Sequence, residues 1–294
     1  MSRIDVRPAR PEDRETVLAF CSNTWEWGDY IAHVWDEWLR DPAGLLLVAI
    51  VDEQPAGVAH MDMLTAQDAW LEGLRVDPHY RHQGLARALY EALQLEAMRR
   101  GATRARLAVE STNERSIQIS ERGHWYRVGE FTLFSATASA DTPRRSAEER
   151  PRPATLADLE SIIDFLNASN MFPLVGGLYY MRFKAYPISE VLLRDKIAAG
   201  DIYILQRWER LDGLAITEER EEQGRRQLSV GYIDGTAIEA ISLLAYDLRY
   251  RAHILGAERI RTYAPDLVLV RDAFTGVGYE GGEATFYTYE RGLT

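Results

Sequence analysis

The residue types most able to do chemistry gather in one passage, Leu71 to Arg100. There an apolar run ends in Val76, Asp77 and Pro78, and an amphipathic segment opens with Arg81, His82, Gln83, Gly84, Leu85 and Ala86. The first turn of a helix leaves its N–H groups without intrahelical partners and carries the positive end of the helix dipole. A glycine-bearing turn at that place can therefore wrap a pyrophosphate. Gly84 lets backbone approach phosphate with no Cβ between them. His79, Arg81, His82 and Arg87 add a local positive patch to a chain whose formal net charge is −11. The glycine spacing is not that of a P-loop or a dinucleotide fingerprint. The plainer alternative is a glycine that merely starts a helix.

The elements around this passage must come from a chain of 294 residues, 46% hydrophobic and 10% aromatic, which has room for two cores of ordinary domain size. No stretch approaches the roughly 18 apolar residues of a membrane span, and Met1 to Arg14 is polar and charged. A soluble, cytoplasmic protein with no membrane association is expected. The single cysteine, Cys21, excludes an internal disulfide and a Cys-based zinc cluster. The six histidines show no metal-ligand spacing, so no metal is expected. An acidic chain is a poor general nucleic-acid binder, and its field favours a cationic partner.

The chain is written twice. Arg7, Pro8, Ala9, Asp13, Glu15 and Phe20 recur as Arg152, Pro153, Ala154, Asp158, Glu160 and Phe165, at a constant offset of 145 residues. Gly44, Glu53, Gly57 and Ala59 recur as Gly200, Glu209, Gly213 and Ala215, at an offset of 156. Between the copies, residues 138 to 152 lack a hydrophobic period and have the composition of a linker. Domains over 1–140 and 151–294, joined by a linker at 141–150, are expected. The first copy reads as a strand over 4–7, helices over 12–22 and 30–39, and strands over 44–51, 56–64 and 70–76. A long helix over 84–100, stopped by Gly101, comes next. Strand 104–109, helix 114–122 and strand 126–136 complete it. Such an order implies an α/β (α+β) fold in which each copy is a twisted mixed sheet flanked by helices.

Arg81, Gly84 and Ala86 fill the signature of motif A of the GNAT acetyltransferases: Gln or Arg, two residues, Gly, one residue, then Gly or Ala. In its strand, loop and helix setting the passage resembles that family, and the resemblance spans roughly residues 3 to 137. It implies acetyl-CoA as cosubstrate, with the pyrophosphate on the N–H groups of His82, Gln83, Gly84, Leu85 and Ala86 beside Arg81. It gives the pantetheine arm the edge of Leu74, Arg75 and Val76. Asn113 matches the asparagine of motif B and reads equally well as a helix N-cap. Where most relatives carry a tyrosine that protonates the leaving thiolate, this chain has Ser120. Tyr126 and Tyr90 are the substitutes within reach in sequence. A thiol of pKa about 8.5 leaves tolerably unaided, since protonation at pH 7 is worth roughly 2 kcal/mol.

The resemblance also implies N-acetyl transfer to an amine, with Glu72 the candidate general base and Glu110 the second candidate. Relatives build the acceptor pocket from the first two helices, where Trp25, Glu26, Trp27, Asp29, Tyr30, His33, Trp35, Asp36 and Trp38 crowd together. Trp25, Trp27, Asp29 and Tyr30 are the expected acceptor contacts, a lining suited to a small cation with an apolar body. Packing of helix on sheet accounts for many of these rings. Asp29, Tyr30, Trp38, Leu39 and the run 70–76 are loosely similar to histidine N-acetyltransferases, which favours a free amino acid or similar small amine as acceptor. In the second copy Gly231 aligns with Gly73 and Gly235 with Gly84, leaving three residues where the first copy has ten. Asp234 is expected to cap the following helix, and that half to be degenerate and without coenzyme. A monomer or homodimer is expected. A non-catalytic CoA-binding sensor or interaction protein stays open as the alternative.

Overall fold

Two residues set the first hairpin. Asp52 and Glu53 both adopt left-handed backbone, φ 47° and 66°, the two-residue turn whose twist matches that of antiparallel strands. It joins β2 (Gly44–Val51) to β3 (Gln54–Met63), with Val51 opposite Gln54. The computed structural model describes residues 4–22, 24, 28–141, 150–207, 209–222 and 224–293. They fall into two compact units, Met1–Leu107 with Glu290–Thr294, and Ala108–Tyr289.

In the first unit the strands run in the order β1 (Asp5–Pro8), β2, β3, β4 (Asp68–Val76), β5 (Arg104–Glu110). All neighbours are antiparallel except β4 and β5, which are parallel. Helices α1 (Arg14–Cys21) and α2 (Ile31–Arg40) bring Val17, Cys21, Ile31, Trp35 and Trp38 against Leu46, Val48 and Val58. Helix α3 (Leu85–Arg99) buries Leu85, Leu89, Leu93 and Ala97, one residue per turn. Each large apolar side chain so buried contributes about 1.5–3 kcal/mol. A Cβ on Gly57 would lie 3.1 Å from Leu89 Cδ1, so glycine there lets α3 seat closely on the sheet. Gly101, φ 97°, follows the helix where the sequence places its stop.

In the second unit the order is β14 (Glu280–Gly292), β6 (Tyr126–Thr137), β13 (Arg259–Ala264), β12 (Arg225–Gly235), β11 (Arg210–Glu222), β10 (Ile202–Arg207), β7 (Arg152–Pro153). The unit also holds α4 (Glu114–Arg122), α5 (Leu159–Ala168), α6 (Glu190–Ala199), α7 (Ile238–Ile254) and α8 (Val268–Thr275). A separate hairpin of β8 (Leu178–Met181) and β9 (Lys184–Pro187) has no counterpart among the sequence expectations. Both sheets are mixed and flanked by helices, as the α/β reading expects.

The repeated residues do the same work twice. Arg7 pairs with Asp13 at 2.7 Å, and Arg152 with Asp158 at 2.7 Å. Each Asp also accepts the backbone N–H three residues before it, closing a 3-10 turn ahead of α1 and of α5. Gly213 meets Leu244 of α7 as Gly57 meets Leu89 of α3. The sequence copies and the units nevertheless do not coincide. Strand β6, from the first copy, pairs with β13 of the second inside the second unit. The chain from Glu290 onward, from the second copy, belongs to the first unit, where Arg106 bonds both Asp68 (2.7 Å) and Glu290 (2.6 Å). Most of the expected linker lies outside the described residues.

Candidate active site

Strand β4 ends at Val76, and Asp77 folds the chain back by accepting the N–H of His79 at 2.9 Å. A 3-10 turn over Pro78–Tyr80 follows, then Arg81 in extended conformation. His82 turns left-handed at φ 66°, and Gly84, at φ 95°, opens α3. Arg81, His82, Gln83 and Gly84 are all exposed. The carbonyl of Gly84 accepts the N–H of Ala88, so the N–H groups just before Ala88 precede the first intrahelical bond. A Cβ on Gly84 would meet nothing nearer than Ile4 Cδ1 at 4.0 Å. Fold packing therefore does not demand glycine here. Left-handed backbone does, and the open space leaves room for close approach to the backbone. These residues fit a pyrophosphate.

One residue of β4 is out of register with β3. Val58 faces Arg75 while His60 faces Glu72, so the extra residue lies between Glu72 and Arg75, where Gly73 has φ 69°. This is a glycine bulge, and it bends the strand. On the other side, the β4–β5 ladder pairs Asp68–Trp70 with Arg104–Arg106. Among the described residues it does not continue to Leu74–Val76. Those residues, all half-buried, present an edge to which an extended chain can add as a strand does.

Glu72, just before the bulge, is half-buried, and its Oε1 lies 3.2 Å from Nδ1 of fully buried His60. The indole of Trp38 stacks on the His60 ring at 4.3 Å with planes 2° apart. A Cβ on Gly73 would lie 2.7 Å from Trp38 Cη2, so this stack needs the glycine. Tyr30 meets Trp38 edge to face at 6.0 Å and lies under the Arg75 guanidinium at 5.4 Å. Burial first, and then the Glu72 carboxylate, push the Tyr30 hydroxyl well above its ordinary range. Arg75 Nε donates to Asp29 at 2.7 Å, and Asp29 also accepts the N–H of Ile31. The expected acceptor contact Asp29 is thus bonded within the protein. Tyr30 lies near enough to Glu72 to feel its charge, and His60 is the neighbour of Glu72 that sequence reasoning missed.

A glycine turn at a helix start, a bulged strand with an unpaired stretch of edge and a carboxylate beside the bulge follow one another along residues 72–85. Residues 14–124 match the model of the acetyltransferase (GNAT) family. Over that stretch the chain is similar to GNAT acetyltransferases. Among solved structures, a GCN5-related N-acetyltransferase from Sphaerobacter thermophilus aligns over 99% of this chain and 96% of its own, with TM-score 0.60 and 12% identity. A GCN5-related glucosamine N-acetyltransferase region of a fungal multi-domain GH3 β-N-acetylglucosaminidase aligns over 99% of this chain and 38% of its own, at TM-score 0.65 and 12% identity. At such identities the likeness is one of fold, and it extends through both halves. No curated protein matches in sequence.

The second half holds the corresponding bulge in different surroundings. Its bulge lies at Gly231, where Ile216 faces Tyr232 and Thr217 faces Val230. The residue before the bulge glycine is Val230, and that residue's cross-strand partner is Thr217, in the places held by Glu72 and His60. A Cβ on Gly231 would lie 2.3 Å from the Tyr179 ring and from Tyr180 O, so the chain's own β8 covers that bulge. Strand β12 continues through Gly235, and only Thr236 and Ala237 separate it from α7, against residues 77–84 in the first half. Asp234 does not cap α7, contrary to expectation, because the strand carries it past the helix start, whose N-cap is Ala237. Its buried carboxylate accepts instead from Ser169 Oγ, Tyr232 OH and the Gly235 N–H.

The remaining GNAT positions fall as follows. Asn113 caps α4, accepting the Ser116 N–H at 3.0 Å. Ser120 is buried on α4, Tyr126 is 70% exposed at the start of β6, and Glu110 ends β5, accepting from Thr112 Oγ1. Tyr90 is half-buried on α3, where desolvation pushes its hydroxyl up to about 12. Trp35 is core, while His33 and Asp36 are exposed. Trp25, Glu26 and Trp27 lie outside the described residues. No group able to hold a metal occurs among the described residues.

Proposed function

We propose that this GNAT protein transfers the acetyl group of acetyl-CoA to the amine of a small molecule, a free amino acid or similar, by direct attack of the amine on the thioester. The observation that carries the reading is the bulge at Gly73. It lies between the carboxylate of Glu72 and the strand edge Leu74–Val76, which leads on to the Gly84 turn. Acetyl-CoA, when bound, supplies the thioester. The N–H groups of His82, Gln83, Gly84, Leu85 and Ala86, with Arg81, hold its pyrophosphate, and the strand edge orients the pantetheine arm. Asn113 belongs to the same coenzyme set in this reading. Glu72 takes the proton that the amine must shed, directly or through one water. For an alkylamine of pKa about 10.4, neutralisation at pH 7 costs roughly 4.6 kcal/mol, and for an α-amino group only about 1 to 1.4. Glu110 is the reserve base, and Tyr126 the candidate donor to the thiolate. Tyr30 belongs to the acceptor side, with Trp25 and Trp27 as further candidates there.

We read the chain as two GNAT copies, 1–140 and 151–294, of which the first alone is catalytic. The loss of the 77–84 loop and the replacement of Glu72 by Val230 both support one coenzyme per chain. The fungal structure's acceptor, glucosamine, is a small amine, in keeping with this reading. Thiol release from acetyl-CoA, measured against amino acids, polyamines and aminoglycosides, tests it. Saturable turnover with one of them, and a calorimetric stoichiometry near one, is the expected result. Tight CoA binding with no turnover across the panel would favour the non-catalytic sensor that Ser120, in the tyrosine's place, suggests.

A further inference from the structure

His60 has no part in the transfer scheme above, yet it sits directly across the ladder from Glu72. Its ring is fully buried, and Nε2 has no hydrogen-bond partner among the described residues. A buried polar atom left so costs about 1–3 kcal/mol, and a leucine would fill the space without that cost. The ring is also held tightly. Trp38 covers one face, and a Cβ on Gly44 would lie 2.7 Å from Nε2. An ionised carboxylate can only accept, so the ring nitrogen that meets Glu72, Nδ1, carries a proton.

We infer that His60 is the positioning residue of the base: its Nδ1–H fixes Oε1 of Glu72 and so sets the orientation of the carboxylate that receives the amine's proton. This rests on the assignment of Glu72 as base. The arrangement matches the way a metal or catalytic group is oriented by a hydrogen bond behind it. The charged and titratable groups facing the pair are Asp41 beyond Nε2, Tyr30, and Arg75 with its partner Asp29. Tyr30, its hydroxyl pushed up by burial, stays protonated throughout the useful pH range, and Arg75 is paired with Asp29 at 2.7 Å.

The test compares kcat/KM against pH for the wild type, His60→Leu, His60→Asn, Glu72→Gln and the double variant His60→Leu/Glu72→Gln. Loss of the donor should move the acid limb up by about one pH unit, which lowers activity about tenfold at pH values on that limb and little near neutrality. The His60→Asn variant gives up the ring but keeps an amide donor, so it should recover most of the limb. In the Glu72→Gln background His60→Leu should cost no more than about twofold, because the two residues act as a unit. Equal losses in both backgrounds with an unmoved limb overturn the role of His60 and leave the base standing. A Glu72→Gln enzyme as active as wild type at every pH overturns the base, and the inference with it. Long-range proton–nitrogen NMR of the imidazoles needs no turnover: the Nδ1–H tautomer at His60 is expected, and the Nε2–H tautomer overturns its donor role.

Discussion

Gly84→Asp separates the fold from coenzyme binding. The residue has φ 95°, so any side chain there costs about 1–2 kcal/mol of backbone strain. No clash adds to this, since the nearest atom to a Cβ is 4.0 Å away. The variant should therefore remain folded, with a melting temperature lower by only a few degrees, about 2–8 °C per kcal/mol. Binding is another matter. A carboxylate about 4 Å from a phosphate charge costs about 4 kcal/mol at an effective dielectric near 20, roughly a thousandfold in Kd. Gly84→Ala carries the same strain in free and bound states and no charge, so it should weaken CoA by about tenfold from bulk alone. Calorimetric titration with CoA at two salt concentrations distinguishes the parts, because salt screens the charge penalty of the Asp variant and leaves the steric one. Asp234→Ala, at the matching place in the second half, should leave Kd within about twofold. A folded Gly84→Asp protein that binds CoA within tenfold of wild type would refute the assignment of this turn to the pyrophosphate.

Three further outcomes are expected. The hydrogen bonds from Arg152 hold the Asp158 carboxyl below its ordinary range, so its stabilisation is present above about pH 4 and lost as pH falls through the folded-state value. Melting curves of wild type and Asp158→Asn should converge on acidification, and a gap that widens would contradict the pairing. Burial pushes the Cys21 thiol from 9.0 up to about 12, which lowers its thiolate fraction about a thousandfold. Native protein should react with a disulfide reagent far more slowly than unfolded protein, and prompt native labelling would refute that burial. Tyr126→Phe should lower kcat at pH 7 by no more than roughly thirtyfold, the ceiling set by protonating a thiolate of pKa about 8.5; a larger loss would assign Tyr126 another task.

Local signals made much of this readable in advance. The Asp52–Glu53 hairpin, the Gly101 stop and the Arg7–Asp13 and Arg152–Asp158 turns all depend on residues within about six positions of each other. So does the Gly84 turn. What was missed depends on pairing across space. His60 looks like any strand histidine until the register sets it opposite Glu72, and the register itself depends on a bulge whose only advance sign is Gly73. Asp234 reads as a helix cap, but β12 holds it through Gly235 because its carboxylate finds Ser169, a residue of the loop after α5. The hairpin of β8 and β9 carries few turn signals, and packing over Gly231 defines it.

The half-buried bond from Arg106 to Glu290 joins positions 184 apart. During synthesis at about 5–20 residues per second, Arg106 therefore leaves the ribosome roughly ten to forty seconds before its carboxylate partner. Until then Asp68 alone answers the arginine's charge, and the β5 side of the first sheet waits for chain not yet made. Such an edge is open to pairing with other chains. The first unit thus begins first in sequence and is completed last. Releasing it by cutting between the copies would leave both products short of a piece that the other holds.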